Sequence, residues 1–229
     1  MESMTSTVED TYKMDFTSRF EGIVNNVSDY TYHILGCGAI GSAAAIQLAR
    51  MGATEFLLYD FDRVSVENIG VSHYVYKDIG TAKVDALKKH ILAINSDANV
   101  MENDERFSCF EDTGNNSIMI LAFDSMDSRK IAVKIALKSK VKPWLLIDGR
   151  MGAEHYQQYT FKNPTLANYM KTWYSDESGD SEPCNAKATS YCASMSGSFI
   201  ANQISKAITH GNVDKEFFFN FPSLTLARK

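Results

Sequence analysis

The chain has 229 residues, enough for one substantial domain with a full hydrophobic core. Hydrophobic residues at 45% and charged ones at 22% exclude a disordered or fibrous class, and a net charge of -5 gives no general attraction to nucleic acid or acidic membrane. Four scattered cysteines, Cys37, Cys109, Cys184 and Cys192, contain no pair at the two-residue spacing that presents zinc ligands, so structural zinc is not expected.

Residues 1–29 read as an N-terminal arm. Its polar, acidic start has no apolar leader core, and no apolar run in the chain is long enough to span a bilayer, so a cytoplasmic protein with reduced thiols is expected. The main domain is expected over 30–229. It opens with a strand at 32–35, in which His33 reads as a packed histidine, and runs into Gly36-Cys37-Gly38-Ala39-Ile40-Gly41. The apolar stripe Ile40, Ala44, Leu48 then marks a helix. Glycines between a strand and a helix allow a tight turn and bring backbone N–H groups of Gly36, Gly38, Ala39, Ile40 and Gly41 towards phosphate at the helix N-terminus.

A second strand at 56–59 ends on Asp60, 19 residues after Gly41 (60 minus 41), where a carboxylate can accept from ribose hydroxyls. Up to this point an NAD(P)-dependent oxidoreductase and an ATP-dependent enzyme share one pattern. Val84, Leu87, Ile91 and Ile94 line one face of a further helix, and strands follow at 99–101, 118–123 and 144–147. After Arg150 come a strand at 155–161 and a long polar stretch at 163–187 that reads as a loop, a candidate crossover or lid carrying Cys184 near its end. A helical pattern returns from Ser190 through Met195, Phe199 and Ile204, with Cys192 in its core face, and 217–221 is an aromatic strand. There is no repeat and no domain linker. The order predicts a doubly wound, Rossmann-like α/β fold, mainly parallel, with helices on both faces and a C-terminal helix and strand extension.

Between these elements, Asp60-Phe61-Asp62-Arg63-Val64-Ser65-Val66-Glu67-Asn68 is followed by Asp78-Ile79-Gly80-Thr81-Ala82-Lys83. The pair closely resembles the D-x-D-x-V-x-x-x-N and G-x-x-K pattern of the ThiF/MoeB/HesA-type adenylyltransferases, relatives of ubiquitin-activating enzymes. Ala122-Phe123-Asp124-Ser125 with Arg129 continues the resemblance, which spans roughly residues 18–207. Residues 147–152 and 183–185 look like the compact ThiF-like proteins of bacteria and phages.

The resemblance implies ATP and Mg²⁺ as ligands, with Asp60 on the ribose, Asn68 and Lys83 facing the phosphates, Asp62 among the nucleotide-binding residues, and Asp124 on the metal. It implies adenylation of a carboxylate, at the C-terminus of a small ubiquitin-like or sulfur-carrier protein or of a peptide, with release of pyrophosphate. It also implies a homodimer in which Arg19 of the arm reaches the neighbour's ATP, and a thiol role for Cys184 in acyl transfer. One departure stands out: Val71 occupies the position of the family's phosphate-binding arginine, with Arg63 and Arg150 as cations that could replace it. An oxidoreductase and a non-catalytic nucleotide-binding partner subunit remain the alternative readings.

Overall fold

The computed structural model describes residues 16–111, 116–178 and 188–229. The elements are β1 (Thr31–Leu35), α1 (Ala39–Arg50), β2 (Glu55–Tyr59), α2 (Val66–Ile69), α3 (Lys83–Leu92), β3 (Asn99–Asn103) and β4 (Ser117–Leu121). They continue with α4 (Met126–Lys138), β5 (Leu145–Gly152), β6 (His155–Lys162), α5 (Leu166–Met170), α6 (Ser190–His210), β7 (Glu216–Asn220) and β8 (Thr225–Arg228). The strands form one sheet in the order β3-β2-β1-β4-β5-β6-β7-β8, parallel from β3 to β5 and antiparallel from there on.

Alternation along the strands divides the core into two layers. Tyr32, Ile34, Phe56, Leu58, Ile118, Ile120 and Ile147 face α1, α3 and α6, where Ala44, Leu48, Leu87, Ile91, Ile200 and Ile204 close the layer. Leu35, Leu57, Met119, Leu121 and Leu146 face α4, Phe107, Phe110 and Tyr169. Helices thus cover both faces, as the alternation of elements requires. Helices α1 and α6 approach closely because Gly197 lies against Ala43, where a Cβ would come within 2.5 Å of the Ala43 carbonyl carbon. No helix among the described residues is long and apolar enough to cross a membrane.

Three boundaries differ from the sequence expectation. β4 stops at Leu121 rather than at 123: Leu121 is the last residue in register with β1 and β5, and the Phe123 carbonyl accepts from the Arg129 guanidinium. β5 runs on to Gly152, since β6 pairs antiparallel with its whole length from Leu145↔Lys162 to Gly152↔His155. The stretch read as a loop from 163 contains α5 and a short 3-10 turn at Asp176–Ser178. Cys184 and the rest of 179–187 lie outside the described residues, as do 1–15 of the arm. β8 was not anticipated: all four residues are exposed, so no apolar alternation announces it.

His33 is fully buried, stacked 4.4 Å from the Phe110 ring and parallel to Tyr59. Burial lowers its pKa to about 4, against 6.5 for a free imidazole. The unfolded chain therefore binds a proton that the folded chain refuses across that window, and stability falls as pH drops from 6.5 towards 4. With about 1.4 kcal/mol per pKa unit, the loss attributable to His33 at pH 4.5 is about 2–3 kcal/mol. Urea unfolding of wild type and His33→Phe at pH 7 and pH 4.5 measures it. The variant should lose correspondingly less stability on acidification, and equal losses in the two proteins would remove His33 as the cause.

Candidate functional site

The sheet reverses its winding between β1 and β4, where successive crossovers depart in opposite directions. In open α/β sheets this leaves a crevice at the carboxyl ends of the strands. The glycine loop lines it. Gly36 has φ +94°, and a Cβ there would meet the Ala122 backbone at 2.8 Å. At Gly41 a Cβ would lie 1.8 Å from the Gly36 carbonyl oxygen. These two glycines press the first turn of α1 against the loop, while the space around Gly38 is open. Gly38 is the N-cap of α1 and no side chain caps it, so the N-terminal amides at Ala39, Ile40 and Gly41 face the crevice uncovered by any cap.

Asp60 braces this loop. One carboxylate oxygen accepts from the Cys37 backbone N–H at 2.7 Å, and the other accepts from Asp62 N–H at 2.9 Å. Burial raises its pKa, opposed by the nearby Lys83 charge and the two N–H donors. Each oxygen keeps a lone pair for a further donor. The Cys37 thiol is buried and its pKa is pushed well up by burial, which makes it an inert packing group.

The two halves of the sequence pattern meet through a short antiparallel ribbon. Val64 N–H donates to Thr81 O, Gly80 N–H to Val64 O, and Lys83 N–H to Asp62 O. Gly80, at φ +84°, makes the turn that returns the chain. Lys83 thereby starts α3 beside Asp62, and its ammonium, only 9% exposed at the residue level, pairs with the Asp62 carboxylate at 2.8 Å. Asn68 stands in a capping box at the start of α2: its Oδ1 accepts from Ser65 N–H at 3.0 Å, which leaves its amide N–H₂ group to act elsewhere. Asp124 follows β4, is exposed, and engages no other side chain among the described residues.

The structure therefore gathers Gly36, Gly38, Ala39, Ile40, Gly41, Asp60, Asp62 and Lys83 around one loop, with Asn68 and Asp124 on the adjoining segments. Arg19 is exposed in the 3-10 turn Ser18–Phe20, away from any contact with these residues. Of the two cations that could replace the arginine missing at Val71, Arg150 is committed elsewhere. It is buried, donates to Asp148 through Nε at 3.0 Å and through a terminal nitrogen at 2.6 Å, and stacks on Tyr159. Arg63 is exposed on the ribbon, donating to Gly80 O at 3.1 Å, beside Asp62 and Lys83.

Sequence reasoning missed Tyr74 and the segment 172–176. The buried Tyr74 hydroxyl lies 2.5 Å from Cys37 O and 3.2 Å from Lys83 O, so one side chain ties the glycine loop to the start of α3. Thr172 O accepts from Arg150 at 2.8 Å, Trp173 Nε1 donates to Met126 O at 2.8 Å, and the Lys130 ammonium rests on the Trp173 ring. Asp176 accepts from Met126 N–H at 2.9 Å, which sets a carboxylate at the N-terminus of α4 two residues beyond Asp124. A tyrosine outside any motif and a polar loop give no sequence signal of these contacts. No group of three or more His, Cys, Asp or Glu side chains able to hold a metal ion occurs among the described residues.

Known proteins align with this geometry. Ubiquitin-like modifier-activating enzyme 5 of rice (Oryza sativa subsp. japonica) is 38% identical over 79 residues, 33% of this chain and 19% of that protein. Its Caenorhabditis briggsae counterpart is 23% identical over 141 residues, 54% of this chain and 32% of that protein, so the chain spans less than a third of these relatives. Among solved structures, PaaA superposes over 100% of this chain and 76% of its own, with TM-score 0.72 at 20% identity. Escherichia coli MccB crystallised with ATP covers 89% of this chain and 64% of its own, with TM-score 0.67 at 16% identity. At these identities the two structures show the shared fold. The model of the ThiF family matches residues 14–229, nearly the whole chain, and the protein belongs to that family.

Proposed function

We propose that this protein binds ATP with Mg²⁺ and adenylates a carboxylate. The observation that carries the reading is the Asp62–Lys83 ribbon beside the braced glycine loop, because it sets a compact cation where a phosphate chain on that loop would run. A dinucleotide-dependent oxidoreductase needs the loop and Asp60 but not this lysine or Asp124. The MccB crystal structures with ATP, and with AMPCPP and MccA, support a nucleotide and a further partner in this fold.

In the proposed reaction a carboxylate oxygen of the substrate attacks the α-phosphorus, the bond to the β-phosphate oxygen breaks, and pyrophosphate leaves with an acyl-adenylate formed. Lys83 stabilises the charge that accumulates on the α-phosphate, and the α1 amides hold the phosphate oxygens. Asp60 accepts from the ribose hydroxyls through its free lone pairs, and the Asn68 amide donates to phosphate. Asp124 as a single exposed carboxylate fits Mg²⁺, an ion usually bound through one or two carboxylates plus phosphate oxygens rather than by a protein cage. When bound, the ion neutralises phosphate charge. The substrate is a small protein or peptide with a free C-terminus, and a cytoplasmic setting is part of the same reading. A thiol step at Cys184 would follow adenylation.

ATP–pyrophosphate exchange with candidate carboxyl substrates tests the assignment. Lys83→Ala and Asp124→Ala should each lower exchange by about a hundred- to a thousandfold, as the loss of one group acting on transition-state charge does, with the fold retained. Near-normal exchange in either variant removes that residue's role.

The glycines should separate binding from stability. Gly38→Ala meets no neighbour within 4 Å, so it should lose less stability than Gly41→Ala while weakening ATP binding at least about tenfold. Gly41→Ala should cost about 1–3 kcal/mol of stability, because its Cβ collides with the Gly36 carbonyl oxygen. Calorimetric titration of ATP alongside thermal melts reads both. ATP binding to Gly38→Ala at wild-type strength would move the nucleotide off this loop.

In a homodimer with Arg19 acting across the interface, Arg19→Ala and Lys83→Ala subunits, each inactive alone, should restore exchange at one site when mixed. Absence of recovery despite demonstrated subunit exchange counts against Arg19 in that role.

A further inference from the structure

Asp148 is a fully buried carboxylate on β5 shared by two guanidiniums. One oxygen accepts from Arg129, and the other accepts twice from Arg150, at 3.0 and 2.6 Å. The two arginines then reach in different directions. Arg129, on α4, donates to Leu121 O at 3.3 Å and to Phe123 O. Those carbonyls belong to the last residue of β4 and to the residue immediately before Asp124. Arg150 holds Thr172 O of the segment 172–176 and stacks on Tyr159 and Tyr174.

Leu121 is the last residue in register with β1 and β5, and beyond it the chain turns away from the sheet. Arg129 donates to both carbonyls, and its planar fork fixes them relative to one another. On the other side of Asp124, Ser125 Oγ accepts from Ser128 N–H at 3.2 Å and caps α4. Asp124 is therefore suspended between a carbonyl clamped from beneath and a helix cap, with its own carboxylate free. An arginine this deeply buried keeps one orientation only while its counter-charge holds it.

We propose that Asp148 is a positioning residue for Asp124, acting through Arg129; the proposal rests on the reading of Asp124 as the metal-facing carboxylate. The Arg150 half of the triad holds the 172–176 segment, which meets the first turn of α4 through Asp176 on Ser125 and Met126, whereas the carbonyls before Asp124 are held by Arg129. The two halves differ in what they hold: Arg129→Lys keeps the charge on Asp148 but loses the fork to the Leu121 and Phe123 carbonyls before Asp124, while Arg150→Lys loosens the segment that meets Ser125 and Met126 after it.

The test titrates Mg²⁺ against ATP binding in wild type, Arg129→Lys, Asp148→Asn and Arg150→Lys, and follows amide hydrogen exchange at 122–125 in each ligand-free protein. Partners of metal ligands typically change metal affinity by about 10- to 100-fold, so Arg129→Lys and Asp148→Asn should raise the Mg²⁺ needed for half-maximal binding by that factor. Both should also speed exchange at 122–125, with metal-free ATP binding unchanged. Arg150→Lys should leave the Mg²⁺ dependence and exchange at 122–124 near wild type, with any faster exchange confined to 125, while still lowering the melting temperature. If Asp148→Asn does not fold, the contrast between the two lysine variants decides. Equal effects in Arg129→Lys and Arg150→Lys, or none in either, overturn the proposal. Should wild type and Asp124→Ala bind ATP with the same Mg²⁺ dependence, the metal reading of Asp124 falls; the exchange contrast at 122–125 still stands or fails by itself.

Discussion

The contact on which the crevice depends is the approach of the α1 first turn to the turn after β1. A Cβ at Gly41 would overlap the Gly36 carbonyl oxygen, so the two backbones touch with no side chain between them. Once they touch, the helix N-terminus cannot retreat from the strand ends. Its amides are fixed at the mouth of the sheet without a capping side chain, and an anion is the natural partner for such an end. Asp60 and Tyr74 consolidate this contact from opposite sides, one through Cys37 N–H and the other through Cys37 O. A single residue of the loop is thereby gripped by its donor and its acceptor.

Two buried carboxylates do different work because their partners differ. Asp60 receives neutral backbone donors, and its charge is balanced only by Lys83 at a distance, so burial still drives its pKa up. Asp148 receives two guanidiniums, which leaves a net positive charge in the triad beneath the end of β4. The first arrangement keeps open lone pairs at the crevice, as a ligand-binding carboxylate needs. The second spends every oxygen on protein donors, as a carboxylate that sets geometry needs.

Much of this was legible from residue pattern. Short apolar strands alternating with helical stripes dictate a parallel sheet covered on both faces, and a glycine loop between a strand and a helix fixes where its crevice opens. That Asp62 and Lys83 belong to one site was legible only through resemblance, and their ion pair was not anticipated, since 21 residues separate them and the ribbon that joins them is held by backbone bonds. Tyr74 and Asp176 were not legible at all, and Asp148 only as part of the 147–152 stretch, with no role attached. Their importance comes from neighbours brought together by the fold: a tyrosine reaching across 37 residues and an aspartate reaching across 50 carry no periodicity to read. The end of β4 was misjudged for the same reason, because an apolar Phe123 continues the strand pattern while Arg129 diverts its carbonyl.

The substitution at Val71 bears on how such a site handles charge. At the crevice rim Asp60, Asp62 and Asp124 carry three negative charges against Lys83 and Arg63, so the protein alone offers a triphosphate no excess of cation. In the resting protein Lys83 is already paired with Asp62, at a side chain that is 53% exposed. In the proposed function a phosphate would share the lysine with Asp62, and exposure would make that sharing easy because water screens the carboxylate it displaces. A family arginine in place of Val71 would supply a permanent fork. Without it, attraction rests on the α1 amides, on Arg63 at the ribbon, and on whatever positive charge arrives with the nucleotide or from a second subunit. Of these, the amides discriminate by geometry rather than by charge. On the proposed function, close packing at Gly36 and Gly41 would thus carry more of the recognition than in a site that keeps its arginine.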